Sequence, residues 1–306
     1  MPLPPIYTLS DYLQDKEACR TELLEMEILP MLEQCPICDG NISLVENGAK
    51  WKCTRKNCRH AQTVFYGTFF EGVKIPCNKL LEFGYHWLND CNSTQLRNIT
   101  GFSKESVANW IQNYCQLIEL DMQSMPEDDR KVGGPGIIVQ IDESKFGKRK
   151  YNRGHKVQGV WVVGGVELTE QRKLFAVSTD NRTAAQLLEI IEQHVHPGSH
   201  IFTDCWAGYN TEQLEALGME HATVNHTEGF VDQETGIHTN HIEATWRGIK
   251  FHVSHKHMTR HLIDGHLMTY IWKRHNAQDL WFALLNAIKR VDYNDLQVIE
   301  EDNEVA

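Results

Sequence analysis

Two apolar runs in this chain end in acids, and acids are what the chemistry of the chain turns on. Ile137, Ile138, Val139 and Ile141 form a β-branched run bounded by Gly133-Gly-Pro135 and Gly147-Lys-Arg-Lys150, which reads as a buried strand. Asp142 and Glu143 stand where that strand leaves the core, and a carboxylate held there needs a cation, a metal or a strong donor to offset its desolvation. His200-Ile-Phe-Thr-Asp204 repeats the pattern, and Glu243 stands in the first turns of a helical stretch carrying Ile242, Trp246 and Ile249 at helical spacing. Asp142, Asp204 and Glu243 are separated by 61 and 38 residues, a spacing compatible with convergence at one sheet edge. Three such carboxylates suit two-metal phosphoryl transfer, with two Mg²⁺ (or Mn²⁺) about 3.5 to 4 Å apart. Hard divalent ions select oxygen ligands, so Cys or His would serve badly there.

Neighbouring residues qualify this picture. Glu143 faces the other side of its strand from Asp142 by the period of two, which makes it a structural or supporting acid. Asn240 lies three residues before Glu243 on the same helical face, where it either orients a metal-bound water or caps the helix. His226 and His238 are read as core or surface hydrogen-bonding groups rather than phosphate ligands. The run His252-Val-Ser-His-Lys-His-Met-Thr-Arg-His261 fits no standard metal site and reads as a basic, DNA-facing helix end. After the first strand, Lys145, Lys148, Arg149, Lys150, Arg153 and Lys156 follow without an acid in what looks like a hairpin tip, and with Arg247 and Lys250 they are the candidate DNA contacts.

A second ligand set lies upstream. Cys35-Pro-Ile-Cys38 and Cys53-Thr-Arg-Lys-Asn-Cys58 are two knuckles separated by room for a short hairpin, and they place four thiolates within reach of one structural Zn²⁺. The second pair has four intervening residues where two is commoner, so His60 is an alternative ligand. Lys50, Lys52, Arg55, Lys56 and Arg59 interleave with these ligands, as a phosphate-facing surface would. Nine cysteines, an odd number with two close pairs, favour metal binding in a reducing compartment over a disulfide framework.

Taken as a single number, the net charge of -11 argues against a nucleic-acid partner, but the charge is unevenly spread. Residues 1 to 34 carry seven acids and two bases, and residues 291 to 306 carry six acids and no base, contributing -5 and -6. The rest is therefore neutral, with concentrated basic stretches. No run reaches the roughly 18 apolar residues of a membrane span, and Met1-Pro-Leu-Pro-Pro5 lacks a signal-peptide pattern, so an intracellular protein without a membrane partner is expected.

These elements order the chain. Residues 1–34 form an acidic helical segment, read as one or two helices over 8–33, and 35–75 a zinc ribbon. Residues 76–120 form a small helix-turn-helix-like DNA-binding module: a helix over Asn78 to Leu88, a short one over Ser93 to Thr100 ended by Gly101, and one from Lys104 to Leu117 capped by Ser103. Lys104, Glu105, Asn109 and Asn113 would read the major groove from the third helix. Residues 121–135 read as a linker. Residues 136–276 give strands at 137–141, 157–167 and 172–178, a helix over 183–194 and the strand at 200–204. That βββαβ order in a mixed sheet is the ribonuclease H-like α/β plan. Residues 277–306 add a helix over Leu280 to Val291, apolar enough to dock on the domain or on a second protomer, and an acidic tail.

Taken together, Asp142-Glu-Ser144, Arg149-Lys-Tyr-Asn-Arg-Gly154, Trp161-Val-Val-Gly-Gly165, Thr203-Asp-Cys-Trp-Ala-Gly-Tyr209, Val224-Asn-His226 and Gly236-Ile-His-Thr-Asn-His-Ile-Glu-Ala-Thr-Trp246 closely resemble the Merlin-type DDE transposases and their bacterial insertion-sequence relatives. The resemblance extends over about Cys35 to His275, because that family also carries a zinc ribbon followed by an element like Gly67-Thr-Phe-Phe70. It implies a catalytic triad at Asp142, Asp204 and Glu243, cleavage at transposon terminal inverted repeats, strand transfer into target DNA, and a homo-oligomer assembled on DNA. In a eukaryotic host it implies nuclear residence, and otherwise a cytoplasmic protein. The competing expectations are a domesticated descendant that binds DNA without cutting it, and a ribonuclease H-like nuclease acting on RNA hybrids.

Overall fold

The computed structural model describes residues 3–147, 159–204, 208–224, 240–253, 258–260 and 262–293. It falls into two compact units, Met1–Asp121 with Asn276–Ala306, and Met122–His275.

The first unit begins with α1 (Ser10–Leu13) and α2 (Lys16–Glu25), shorter than the expected 8–33 span because α2 opens on an Asp15 cap and ends before Glu27 at positive φ. A three-stranded antiparallel sheet follows, β1 (Ile42–Val45), β2 (Lys50–Cys53) and β3 (Ala61–Thr63). Next come α3 (Cys77–Leu88), α4 (Ser93–Thr100) and α5 (Lys104–Gln123). Asn92 and Gln95 form a capping box at the start of α4, Gly101 ends it in the left-handed region, and the Ser103 hydroxyl accepts from Ser106 N at the start of α5. The last helix runs six residues past the expected Leu117, because buried Ile118 and Met122 continue its apolar stripe.

An aromatic core binds this unit. Tyr114 stacks on Phe83 and Trp87 and donates its hydroxyl to Leu80 O, while Phe69 of the Gly67-Thr-Phe-Phe70 turn packs on Trp110 and Tyr114. The C-terminal helix also belongs here: on it, Trp281 donates to the Tyr12 hydroxyl at 2.9 Å and Arg290 pairs with buried Asp121 at 2.7 Å.

In the second unit, α6 (Glu127–Arg130) precedes β4 (Ile138–Phe146), β5 (Val160–Glu167), β6 (Leu174–Thr179), α7 (Ala184–His194), β7 (His200–Asp204), α8 (Thr211–Ala216), β8 (Glu220–Val224), α9 (Asn240–His252) and α10 (Ile263–His275). The remaining helix, α11 (Leu280–Arg290), is the one docked in the first unit. Sheet order is β6-β5-β4-β7-β8, with β4 antiparallel to β5, β5 antiparallel to β6, and β7 and β8 parallel to β4. The expected βββαβ succession in a mixed sheet is present, extended by a further αβ step.

Alternation along β4 decides what covers each face. Val139 and Ile141 point into one core with Leu187, Ile190, Ile191 and Leu214 of α7 and α8, whereas Phe146 joins a second core with Ile242, Trp246, Ile249, Ile263 and Leu267 of α9 and α10. Each fully buried Leu or Ile contributes about 1.5 to 3 kcal/mol, so the register of β4 is firmly specified.

The stretch expected to be a linker is folded onto this unit in its second half. Val132 is 1% exposed, its N–H donates to His194 O, and its carbonyl accepts from His196 N. The N–H groups of Gly133 and Gly134 donate to Glu167 and Ser199 side chains, which explains how a Gly-Gly-Pro segment without an apolar period is nonetheless ordered.

Candidate active site

Parallel pairing of β4 with β7 matches Ile138 to His200 and Gln140 to Phe202, and the ladder stops there. Two residues on along each strand stand Asp142 and Asp204. The two acids are therefore level on neighbouring parallel strands, just past the last pair of the ladder between them; Asp204 ends β7, whereas β4, expected to leave the core at Asp142, continues on its β5 side to Phe146. By alternation Asp204, like Asp142, lies on the sheet face opposite Ile201 and Ile141, which is the face that α9 covers. Glu243 occupies the first turn of α9 and is solvent-exposed.

Electrostatics links the three. Burial raises the Asp142 carboxyl above its ordinary range, the Glu143 N–H and Trp246 indole oppose the rise, and the charges of Asp204 and Glu243 add to it. Their ligand atoms are nevertheless not drawn into one tight knot: among the described residues, Cys35, Cys38, Cys53 and Cys58 form the one group of His, Cys, Asp or Glu ligands lying within 4.8 Å of one another. Two ions about 3.5 to 4 Å apart allow outer carboxylate oxygens a separation of roughly 8 Å, so an open arrangement suits a pair of hard cations.

Three side chains of β4 hold α9. The Gln140 side chain, wholly buried, accepts through Oε1 from His241 N at 3.0 Å and Ile242 N at 3.1 Å. Asp142 Oδ2 accepts from Trp246 Nε1 at 2.9 Å, and Ser144 Oγ accepts from Lys250 Nζ. Opposite Asp142 on β5 stands Gly164, where a Cβ would meet the Trp246 ring at 2.6 Å. The helix can lie this close only because that position is glycine. Gln140 and Trp246 were not singled out from the sequence as supporting residues; a Gln inside an apolar run was the available signal, since a buried amide must find partners.

On the opposite face Glu143 is buried, accepts a short hydrogen bond from the Tyr209 hydroxyl and faces Arg182 at 3.6 Å. Its carboxyl is raised by burial, against the Tyr209 hydrogen bond, and further by Asp142 and Asp204. Glu143 thus faces away from Asp142, as the period of two along the strand requires. The Arg182 guanidinium lies 3.6 Å from the centroid of the Trp161 ring, and Lys145 Nζ lies 5.3 Å from it.

Other expected contacts divide. Arg247 is exposed on α9, and Lys250 is engaged by Ser144 and lies over the Phe146 ring. Lys148, Arg149, Lys150, Arg153, Lys156, His226 and His238 lie outside the described residues. Asn240 is the exposed first residue of α9, and it is Gln140 that accepts from the next two N–H groups. Arg260, from the stretch read as a DNA-facing basic end, is turned to Ser178 and Asp180.

At the cysteine cluster, Cys35 Sγ lies 3.7 Å from Cys58 Sγ and Cys38 Sγ lies 3.6 Å from Cys53 Sγ. Tetrahedral thiolates about 2.3 Å from zinc are about 3.8 Å apart, so the donor set fits Zn²⁺. Burial opposes ionisation of Cys35, yet the N–H groups of Ile37 and Cys38 and the adjacent thiols bring it down to about 6. His60 is not part of the cluster; its ring faces Gln62. The wider second spacing has a simple cause. In the first knuckle Asp39 N donates to Cys35 O, and in the second Arg59 N donates to Arg55 O, so Arg55 takes the position of a first cysteine. Cys53, at the end of β2 two residues earlier, supplies the thiolate instead.

Fold and site together define a mixed-sheet α/β domain with level acids on two neighbouring parallel strands and a third acid on the covering helix. Residues 128–273 match a family model described as the ISXO2-like transposase domain, a span lying within the second unit. That span is a little under half of the chain. Similar solved structures include a pre-cleavage Mos1 transpososome (8% identity, 69% of this chain and 78% of that chain covered, TM-score 0.21). They also include the Mos1 strand transfer complex (13%, 72% and 81%, 0.23) and the Mos1 transposase paired-end complex with left transposon end (12%, 72% and 82%, 0.22). No curated protein matches the chain. Among the described residues no helix is long and apolar enough to cross a membrane.

Proposed function

We propose that this chain is a metal-dependent DNA transposase, of the Merlin type within its class, that cleaves at transposon terminal inverted repeats and transfers the freed strand into target DNA. The observation that carries the reading is the level placement of Asp142 and Asp204 at the end of the β4–β7 ladder, with the Glu243 charge felt at Asp142. Asp142, Asp204 and Glu243 would hold two Mg²⁺ or Mn²⁺. When bound, these ions supply Lewis-acid stabilisation of the attacking and leaving oxygens and make a water or 3′-hydroxyl acidic enough to attack phosphorus.

The chain's own groups orient and exclude. Trp246 fixes one oxygen of Asp142, Gln140 and Ser144 hold the helix that bears Glu243, and the bulky apolar cores on both sheet faces keep the strand ends from shifting. The exposed side of α9 offers Arg247 to phosphate and Phe251, 85% exposed, as a face for a base. The Cys₄ ribbon and the helices α3 to α5 serve as the DNA-end-binding part, zinc being structural because four thiolates leave no open position. Assembly as a homo-oligomer on DNA, with nuclear residence in a eukaryotic host, belongs to the same proposal.

Asp204→Asn should abolish Mg²⁺-dependent nicking of DNA carrying the element's ends while leaving binding to that DNA unchanged. Undiminished nicking refutes the assignment. Wild-type protein that binds ends but never nicks them would instead favour a domesticated DNA-binding protein.

A further inference from the structure

We propose that Gln140 is a positioning residue for the transposase reaction: its buried amide oxygen caps α9 and so sets the depth at which Glu243 faces Asp142. The inference rests on the transposase reading above, and extends it to a residue that touches neither metal nor DNA.

The first N–H groups of a helix have no partner within the helix. In α9 two of them, on His241 and Ile242, are satisfied by one oxygen from a different element, 101 and 102 residues away in sequence. That oxygen belongs to the residue two before Asp142, on the same face of the same strand. A shift of α9 along the sheet would break both bonds and leave the wholly buried Gln140 oxygen and the buried Ile242 N–H without these partners.

The other contacts agree in register. Along β4 the contacts step by two residues, Gln140, Asp142 and Ser144. Along α9 they step by four, from Ile242 to Trp246 to Lys250. Four strand residues advance about 13 Å and eight helical residues about 12 Å, so strand and helix stay in step over the whole overlap. Glu243 is the residue next to the cap, and its position is therefore the most tightly bound to Gln140. Lys250, at the far end, is tied to Ser144 and not to Gln140.

The test compares full-length wild type with Gln140→Met, which keeps the volume and removes the acceptor, and Gln140→Glu, which keeps an oxygen acceptor in either protonation state. Hydrogen exchange of the 241–243 amides reads the cap without any catalysis, and the Mg²⁺ requirement of nicking reads its consequence. For Gln140→Met we expect lost protection at 241–243 with protection retained toward Lys250. The half-saturating Mg²⁺ should rise by about tenfold, with a smaller loss of rate at saturating Mg²⁺ and unchanged DNA binding. Gln140→Glu should restore both readouts.

A purely structural role would lower the melting temperature and maximal rate without moving the Mg²⁺ requirement. That result, or failure of Gln140→Glu to restore it, overturns the proposal. If Gln140→Met does not fold, Gln140→Asn, which withdraws the same oxygen by about 1.5 Å, takes its place with the same two outcomes. Wild-type protein that binds Mn²⁺ but does not nick contradicts the transposase reading; the Mn²⁺ affinity and the exchange of the 241–243 amides then decide the Gln140 proposal separately.

Discussion

The four thiols of the ribbon and the three acids of the sheet are gathered in opposite ways. Cys35, Cys38, Cys53 and Cys58 lie within 24 residues of sequence, on short strands and two knuckles with little apolar surface, and their sulfurs fall within 4.8 Å of one another. Asp142, Asp204 and Glu243 come from three distant elements, and packing of the sheet against α9 brings them to one edge. A small ribbon buries little apolar surface, so a metal held by its four thiols would supply much of its folding energy. In the sheet domain the apolar cores position the acids, and burial disfavours the charge of the Asp142 carboxylate. The first centre is a fastener, and the second is a preformed, electrostatically uncomfortable site.

This contrast can be broken most severely at the ribbon. Cys53→Ser should abolish zinc binding at the cysteine cluster, measured by metal analysis, and unfold residues 35–63, followed through the emission of buried Trp51. Zinc binding in such knuckles contributes on the order of 10 kcal/mol. A ribbon that stays folded without metal would remove the distinction between the two centres.

At the sheet edge the same kind of change should act in the other direction. Because the folded carboxyl of Asp142 is raised above its unfolded value, the metal-free domain gains stability as pH falls into the carboxylate range and loses it as pH rises through the folded value. Asp142→Asn should therefore raise the metal-free melting temperature at neutral pH, by roughly 3 °C for each kcal/mol of strain relieved. It should also abolish the melting-temperature gain from Mg²⁺. A lowered melting temperature would mean that Asp142 is held by pairing rather than against its solvation.

The smallest expected effect is at Trp246. Trp246→Phe removes the indole donor to Asp142, so the carboxyl should ionise at higher pH and the acidic limb of the nicking profile should move up by up to about one unit. An unmoved limb would show that the hydrogen bond has no influence on Asp142.

How much of this was legible from residues alone follows the same division. The four-cysteine cluster was readable from cysteine spacing, and the β4 and β7 strands from their β-branched runs, because both signals are local, although β4 runs on past Asp142 to Phe146. The 127–135 segment was not, since the Glu167 carboxylate and Ser199 hydroxyl that receive its Gly133 and Gly134 N–H groups lie more than 30 residues downstream. Docking of α11 in the first unit was equally hidden: an apolar face does not name its partner, and here Tyr12 and Asp121 supply it. Gln140 is the instructive miss, because a polar residue inside a strand states that a partner is needed without saying which.

The most direct measurement of the acid site is a crystal structure of the full chain soaked in Mn²⁺, with anomalous scattering locating the ions. Two peaks about 3.5 to 4 Å apart, ligated by Asp142, Asp204 and Glu243, are the expected result. Glu243 turned away from the ions, or Mn²⁺ bound elsewhere with the strand ends bare, would contradict the account.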